Sequence, residues 1–213
     1  MEDGDSPSSI LHPPSSRFVV GYLGRLVPQK GVLDLVEALA LLPPYVCLRL
    51  IGDGVLRAQI DARAAELGVG ERVELVRWTS DVPAELRRLD ALALPSRTTR
   101  TWKEQFGRVL PEAMSCAVPV VGSSSGEIPK VIGDAGLIYP EGDVPALAAA
   151  LRRLADDSAL RADLGGRGRA RALEQYTQAA LAREYYEIYR SIAEIKNTPK
   201  DDNLFKNRNL MLS

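Results

Sequence analysis

The sequence is poor in the residue types that build disulfide frameworks and histidine-based active sites. Its two cysteines, Cys47 and Cys116, lie inside apolar runs, so we expect two small buried hydrophobic residues and a reducing compartment. The single histidine, His12, has no pairing partner near it and is expected to be inert. A net charge of −1 provides no overall field that would select nucleic acid or an anionic membrane.

Long apolar runs and two familiar nucleotide-binding signatures are also missing. No apolar stretch reaches the roughly 20 residues that a membrane-spanning helix needs, and the acidic, Pro/Ser-rich start lacks both blocks of a signal peptide. The loop after the first apolar run, residues 24–31, is neither a Walker motif nor a Gly-x-Gly-x-x-Gly fingerprint. A P-loop NTPase and an ordinary dinucleotide dehydrogenase are therefore disfavoured.

The sequence does contain a regular alternation of short apolar runs with helical patterns at residues 31–42, 55–67, 81–89 and 105–116. Strands that alternate with helices predict βαβ units, and right-handed crossovers then give a doubly wound, Rossmann-like parallel sheet of the α/β class. We expect six strands in the order 3-2-1-4-5-6. The apolar runs are Phe18–Leu23, Val46–Ile51, Val73–Val76, Ala91–Leu94, Pro119–Gly122 and Gly136–Tyr139.

Three segments are predicted along the 213 residues. Residues 1–16 are expected to be a disordered arm or linker, and residues 196–213 a polar tail. Between them, residues 17–195 form a Rossmann-like nucleotide-sugar-binding domain that ends in helices. The helical patterns of that final part cover residues 143–155, 158–174 and 177–195.

The loop Gly24–Gly31 is a candidate anion site because it follows the first strand and opens a helix. Ligands of doubly wound sheets lie at the carboxyl ends of strands. Arg25 and Lys30 flank a turn that can bring both cations to one point, and both side chains are expected at the surface. Gly24 lets the backbone approach closely, and the helix start adds partial positive charge. A diphosphate satisfies these features, and two solvated cations are the other interpretation.

Two glutamates eight positions apart, Glu104 and Glu112, follow the fourth strand. A helix beginning near Gln105 would place Glu104 at its mouth and Glu112 about two turns in, on nearly the same face. Gly107 has poor helix propensity, which close backbone approach to a ligand would explain. Glu112 can accept hydrogen bonds from the diol of a ribose. A charge that interacts with the helix dipole and a solvated helix face are the simpler interpretations of Glu104 and Glu112.

Four stretches together resemble one enzyme family. They are GRLVPQKG, LRLIGDG, the pair Pro95-Ser96, and EQFGRVLPEAMSCAVPVVGSSSGEIPKVI. In this order they are similar to the retaining GT-B glycosyltransferases of the Glu-x7-Glu type (glycosyl transferases group 1), and specifically to the C-terminal, donor-binding domain. The resemblance runs from about residue 18 to residue 195.

The resemblance implies a nucleotide-diphosphate sugar as substrate, with no cofactor and no metal. Arg25 and Lys30 would hold the diphosphate in a turn lined by Gly24, and Glu104 would contact hydroxyls of the transferred sugar. Glu112 would bind the ribose. Attack on the front face would transfer the sugar with retention. The remaining implied contacts are the backbone amides at Phe106, Gly107 and Arg108 and, around the base, the loop at Trp78, Thr79 and Ser80.

The sequence departs from the family pattern in three places. Relatives often carry a glycine near Arg77 or Trp78, where this chain reads VRWTS. The segment Arg97–Lys103 is unusually basic, which suits a phosphorylated lipid acceptor, an acidic sugar or a solvated loop. Nothing before Phe18 can be the acceptor-binding N-terminal Rossmann-like domain. We therefore expect an excised domain, a truncated product or one subunit of a split enzyme, with that domain supplied in cis or in trans.

Two other functions stay open at this point. One is a non-enzymatic nucleotide-sugar-binding module or pseudoenzyme fragment. The other is a related enzyme that hydrolyses or epimerises nucleotide sugars, but such chemistry needs acid–base groups that a single histidine in the arm does not supply. The expected location is cytoplasmic, peripheral at the inner face of a membrane if the acceptor is lipid-linked, with no nucleic-acid partner.

Overall fold

A computed structural model of the protein describes residues 17–197. The predicted arm over residues 1–16, with His12, and residues 198–213 of the predicted tail lie outside the described residues. The described residues divide into two compact units, the first ending at Ala172 and the second beginning at Leu173. Among the described residues, no helix combines the length and the apolar character needed to cross a membrane.

Six parallel strands form one sheet in the first unit, in the order β3-β2-β1-β4-β5-β6. This confirms the predicted fold class and strand order. In β1 and β2 every residue is paired, from Phe18 opposite Val46 to Leu23 opposite Ile51. The strands are β1 (Phe18–Leu23), β2 (Val46–Ile51), β3 (Val73–Val76), β4 (Ala91–Leu94), β5 (Val120–Ser123) and β6 (Gly136–Tyr139).

Helices cover both faces of the sheet, which is why the central strands are continuous apolar runs rather than alternating ones. All four residues of β4 are buried, as are all four of β5. The helices among the described residues are α1 (Val32–Ala40), α2 (Arg57–Glu66), α3 (Val82–Leu86), α4 (Val109–Ser115), α5 (Ile128–Ile132), α6 (Val144–Asp156), α7 (Ser158–Gln175) and, in the second unit, α8 (Gln178–Asn197). The sequence patterns did not predict the short helix α5.

Two helices begin with the same tripeptide, Asp-Val-Pro, at Asp81 and at Asp143. The Asp81 carboxylate accepts a hydrogen bond from the Ala84 N–H at 3.0 Å, and Asp143 accepts one from the Ala146 N–H at 2.9 Å. Proline follows inside the first turn, where its missing N–H costs nothing. These caps fix the starts of α3 and α6 as the sequence predicts.

The predicted helix over residues 105–116 begins late, because α4 starts only at Val109. Gly107 has a φ of +72°, a left-handed conformation that interrupts a helix, and a Cβ added there would lie 2.7 Å from the Leu94 side chain. The expectation that Glu104 stands at the mouth of this helix is therefore wrong. Glu104 lies in an irregular segment, whereas Glu112 lies in the first turn of α4.

Candidate functional site

A cavity of about 570 Å³ opens at the carboxyl ends of β1 and β4. These neighbouring strands mark the point where the strand order reverses, and ligands of doubly wound sheets bind in the crevice at that point. We refer to this space as the cavity. Its lining residues are Leu23, Gly24, Arg25, Lys30, Trp78, Val82, Leu94, Glu104, Gln105, Phe106, Gly107, Arg108, Val109 and Glu112.

Most of the residues selected from the sequence meet in this cavity. Both cations, both glutamates, Gly24, Trp78 and the segment from Phe106 to Arg108 line it. Thr79 and Ser80 do not. The Thr79 hydroxyl instead accepts a hydrogen bond from the Asp81 N–H at 3.1 Å, which shapes the turn before α3.

The two cations are held in different ways. Arg25 is exposed, as expected, and among the described residues it forms no ion pair. The Tyr22 hydroxyl donates to the Arg25 carbonyl at 2.7 Å and fixes the backbone of the turn. Burial raises the pKa of Tyr22 far above its usual value, and the nearby Glu104 raises it further, so this hydroxyl stays a donor.

Lys30 is not the surface residue that we expected, because its side chain is only 17% exposed. It lies at the end of a single 3-10 turn, Pro28–Lys30, between two partners. Its ammonium forms an ion pair with the Glu104 carboxylate, and it stands 5.0 Å from the centre of the Trp102 ring. Lys30 is thus fixed in the cavity wall before any ligand binds.

Glu104 is a buried carboxylate with two side-chain partners. Its residue exposure is 7%, and besides Lys30 it accepts a hydrogen bond from the Ser96 hydroxyl at 2.8 Å. A buried charge is tolerated only when it is paired and hydrogen-bonded, and both conditions are met here. The carboxylate therefore remains a fixed acceptor on one side of the cavity.

Glu112 stands in contrast, because it is exposed to the cavity from the first turn of α4. The residues beside it that face the protein, Leu110, Ala113 and Met114, are buried. Partial burial raises the pKa of Glu112 above that of an ordinary glutamate, while the nearby Arg108 guanidinium acts in the opposite direction. Glu104 and Glu112 thus face one cavity from two elements and not from one helix.

The basic segment Arg97–Lys103 is anchored rather than loose. The Arg97 guanidinium donates to both carboxylate oxygens of Asp34, at 2.8 and 2.7 Å. The Thr98 N–H and hydroxyl donate to Glu141 at 3.1 and 2.8 Å. Burial raises the pKa of Asp34, against the hydrogen bond from Arg97, which lowers it. Arg97 is therefore occupied in an ion pair.

Ser96, Tyr22 and Trp102 contact the site residues although sequence reasoning gave them no role. A signal existed for Tyr22, because a phenol inside a buried strand must find an acceptor for its hydroxyl. The pair Pro95-Ser96 is one of the stretches that resemble the family, but nothing in its spacing indicates that Ser96 reaches Glu104. The cation–π contact of Trp102 depends on how two loops fold together, and spacing does not predict it.

Comparison with known proteins was consistent with this geometry. The sequence model of the family described as glycosyl transferases group 1 matches residues 8–171. Among curated relatives, the lipopolysaccharide core biosynthesis glycosyltransferase LpsE of Rhizobium meliloti is 33% identical over 184 residues, covering 85% of this chain and 52% of LpsE. A GDP-mannose-dependent phosphatidylinositol monomannoside mannosyltransferase of Mycolicibacterium smegmatis is 35% identical over 169 residues, covering 75% of this chain and 44% of that enzyme.

Among solved structures, Anabaena Alr3699/HepE in complex with UDP superposes with a TM-score of 0.75 at 29% identity, covering 83% of this chain and 49% of that one. The same protein in complex with UDP-glucose gives a TM-score of 0.74 at 28% identity, covering 82% of this chain and 49% of that one. The chain thus spans about half the length of the relatives that it matches.

Proposed function

The chain belongs to the glycosyl transferases group 1 family, and we propose that it is the donor-binding part of a retaining glycosyltransferase of the Glu-x7-Glu type. In this proposal the cavity holds a nucleotide-diphosphate sugar, and we call it the donor cavity. One observation carries the proposal: two cations from the chain after β1 and two carboxylates from the chain after β4 line a single cavity at the switch point of the sheet. Its volume of about 570 Å³ is in the range of small-ligand sites.

Each part of the donor has a matching group in the cavity. Arg25 and Lys30 bind the diphosphate, because charge-assisted hydrogen bonds from cations to phosphate oxygens are the strong ones. Glu112 accepts hydrogen bonds from the ribose hydroxyls, and Glu104 accepts them from hydroxyls of the sugar. The backbone at Phe106 and Arg108 completes the contacts to the donor.

The same groups account for catalysis in this proposal. As the bond between the sugar and the diphosphate breaks, negative charge grows on the leaving phosphate. Arg25 and Lys30 line the cavity and stabilise that charge, and electrostatic stabilisation of this kind is the largest contribution to catalysis in many enzymes. Glu104 keeps the sugar in register. The proposal requires no metal and no cofactor.

Transfer also requires an acceptor held in line with the reacting carbon. Positioning of a second reactant is worth roughly 7–11 kcal/mol of barrier. We propose that a second, acceptor-binding domain supplies this positioning and closes over the donor cavity to exclude water. The acceptor is lipid-linked or free, and the enzyme works in the cytoplasm or at the inner face of a membrane.

The similar proteins indicate which donors to test first, since one solved structure holds UDP-glucose and one relative is named for GDP-mannose. In a thermal-shift panel of uridine, guanosine and adenosine diphosphates and their sugars, we expect the ligands that carry one of the three bases to stabilise the 213-residue chain. At a ligand concentration of about 100 Kd the expected gain is about 2.7 kcal/mol, or a Tm shift of roughly 5–10 °C.

The variant Arg25→Ala should lose most of that shift. Arg153→Ala removes an exposed cation on α6 that does not line the cavity, so it should keep the shift. A panel in which no nucleotide diphosphate or nucleotide sugar shifts the Tm would contradict the proposed function. Equal Tm shifts in Arg25→Ala and Arg153→Ala would show that the diphosphate does not bind at the loop Gly24–Gly31.

A further inference from the structure

Ser96 follows β4 and is fully buried, at 0% exposure. Its hydroxyl donates to the Glu104 carboxylate at 2.8 Å, yet Ser96 does not line the donor cavity. Its side chain therefore does not touch a ligand in the cavity directly. Whatever Ser96 does for the site, it does through the position of Glu104.

Ser96 is itself held by the last residue of β5. The Ser123 hydroxyl donates to the Ser96 carbonyl at 2.5 Å, and Ser123 is also fully buried. Four residues further on, the loop after β5 holds the backbone of Glu104, because the Glu127 N–H donates to the Glu104 carbonyl at 2.9 Å. A Cβ at Gly126, whose φ is +57°, would stand 1.9 Å from that carbonyl oxygen.

This support is needed because of where Glu104 lies. The segment between β4 and α4 is irregular, so no helical hydrogen bonds fix the direction of its side chains. The other side-chain partner of Glu104 is Lys30, which the proposed function assigns to the diphosphate. A diphosphate competes for the charge of Lys30, and Ser96 is then the partner that stays with the carboxylate.

We propose that Ser96, anchored by Ser123, is a positioning residue that aims the Glu104 carboxylate at the donor sugar and thereby sets the preference for a nucleotide sugar over the free nucleotide diphosphate. The inference rests on the proposed function and deepens it. The hydroxyl donates to the same carboxylate oxygen as Lys30, which leaves the other oxygen for a sugar hydroxyl.

The test compares two affinities of the full 213-residue chain by calorimetry, for a nucleotide sugar and for the matching nucleotide diphosphate. Ser96→Ala should weaken nucleotide-sugar binding about five- to tenfold and nucleotide-diphosphate binding less than about twofold, the effect of one lost charge-assisted hydrogen bond. Ser96→Cys replaces the hydroxyl with a thiol of similar size that is only a weak donor. This variant therefore gives the same test if Ser96→Ala does not fold.

Ser125→Ala is the matched control. Ser125 is equally buried, but its hydroxyl shares a hydrogen bond with Thr98 at 2.9 Å and not with Glu104. A role in stability alone would lower the Tm of both variants and leave the ratio of the two affinities unchanged. We expect the ratio to change for Ser96→Ala only.

A double-mutant cycle completes the experiment. In a Glu104→Ala background, Ser96→Ala should change nucleotide-sugar affinity by less than about twofold, since its effect passes through the missing carboxylate. A wild-type chain that binds no nucleotide overturns the proposed function and this inference with it. Wild-type binding with an unchanged ratio in Ser96→Ala and Ser96→Cys, or a full effect without Glu104, overturns this inference alone.

Discussion

Glu104 and Glu112 face the same cavity but are built into the molecule in opposite ways. Glu104 is buried in an irregular segment and carries two partners, Lys30 and Ser96. Glu112 is exposed to the cavity from a regular helix, and the partial burial that remains raises its pKa. A ligand must therefore share the partners of Glu104, whereas Glu112 faces the cavity from an exposed position. The difference teaches that two carboxylates at a fixed spacing need not have equivalent roles.

The largest effect is expected for Lys30→Ala, which removes the ion-pair partner of the buried Glu104. It removes a phosphate ligand and leaves the Glu104 carboxylate without its ion-pair partner. We expect a loss of about 2–3 kcal/mol in the free energy of unfolding, together with the loss of measurable nucleotide-diphosphate binding. Denaturant unfolding and calorimetry measure the two effects separately.

Arg25→Ala is the companion variant, because Arg25 is exposed and no described residue pairs with it in an ion pair. It should weaken nucleotide-diphosphate binding about tenfold or more and leave the unfolding free energy within about 0.5 kcal/mol of the wild type. Equal losses of stability in the two variants would show that the Lys30–Glu104 ion pair does not stabilise the fold.

Effects of intermediate size are expected when each glutamate is exchanged for glutamine, and they test whether Glu104 and Glu112 have different roles. Glu112→Gln should weaken binding of ribonucleotides about fivefold and reduce discrimination against the 2′-deoxy analogue. Glu104→Gln should leave nucleotide-diphosphate affinity intact or raise it by about twofold, because Lys30 no longer shares its charge with a carboxylate, while nucleotide-sugar affinity falls. Calorimetry of both variants should use a nucleotide diphosphate, its 2′-deoxy analogue and the nucleotide sugar. Parallel changes of affinity in both variants would contradict separate roles for the two glutamates.

The smallest effect is a pH dependence that belongs to Glu112. Because its pKa is raised, protonation begins at a higher pH than for an ordinary glutamate. Acidification should therefore weaken binding of a nucleotide sugar by a few-fold, since a protonated carboxyl accepts fewer hydrogen bonds from the ribose.

The loss should not come from unfolding driven by this group. A carboxyl whose pKa is raised on folding adds stability as the pH falls through that range. The Glu112→Gln variant should show a flatter affinity profile than the wild type while its Tm profile stays nearly the same. An identical affinity profile in both proteins would assign the pH dependence to another group.

The sheet could be predicted from the sequence because its signals are local. Runs such as Ala91–Leu94 are apolar throughout, and the Asp-Val-Pro starts at Asp81 and Asp143 mark helices without reference to the rest of the chain. The Rossmann-like order then follows from the handedness of the crossovers. The loops that carry Arg25 and Glu104 fall at the carboxyl edge for the same reason.

The interior of the site could not be predicted in the same way. A helix starting at Gln105 was a reasonable expectation from periodicity, but the left-handed Gly107 against Leu94 depends on contacts that only the folded sheet creates. The partners of Glu104 come from three separate loops, at Lys30, Ser96 and Glu127. Spacing along the chain contains no information about such meetings.

The central claim is that this chain alone contains a donor site built around Arg25 and Lys30. The most direct measurement is calorimetry of the 213-residue chain with a nucleoside, its diphosphate and its diphosphate sugar, in the wild type and in Arg25→Ala. The account predicts that affinity rises along this series in the wild type and that Arg25→Ala removes most of the gain from the diphosphate. Equal affinity for nucleoside and nucleotide diphosphate, or equal losses for both in Arg25→Ala, would contradict it.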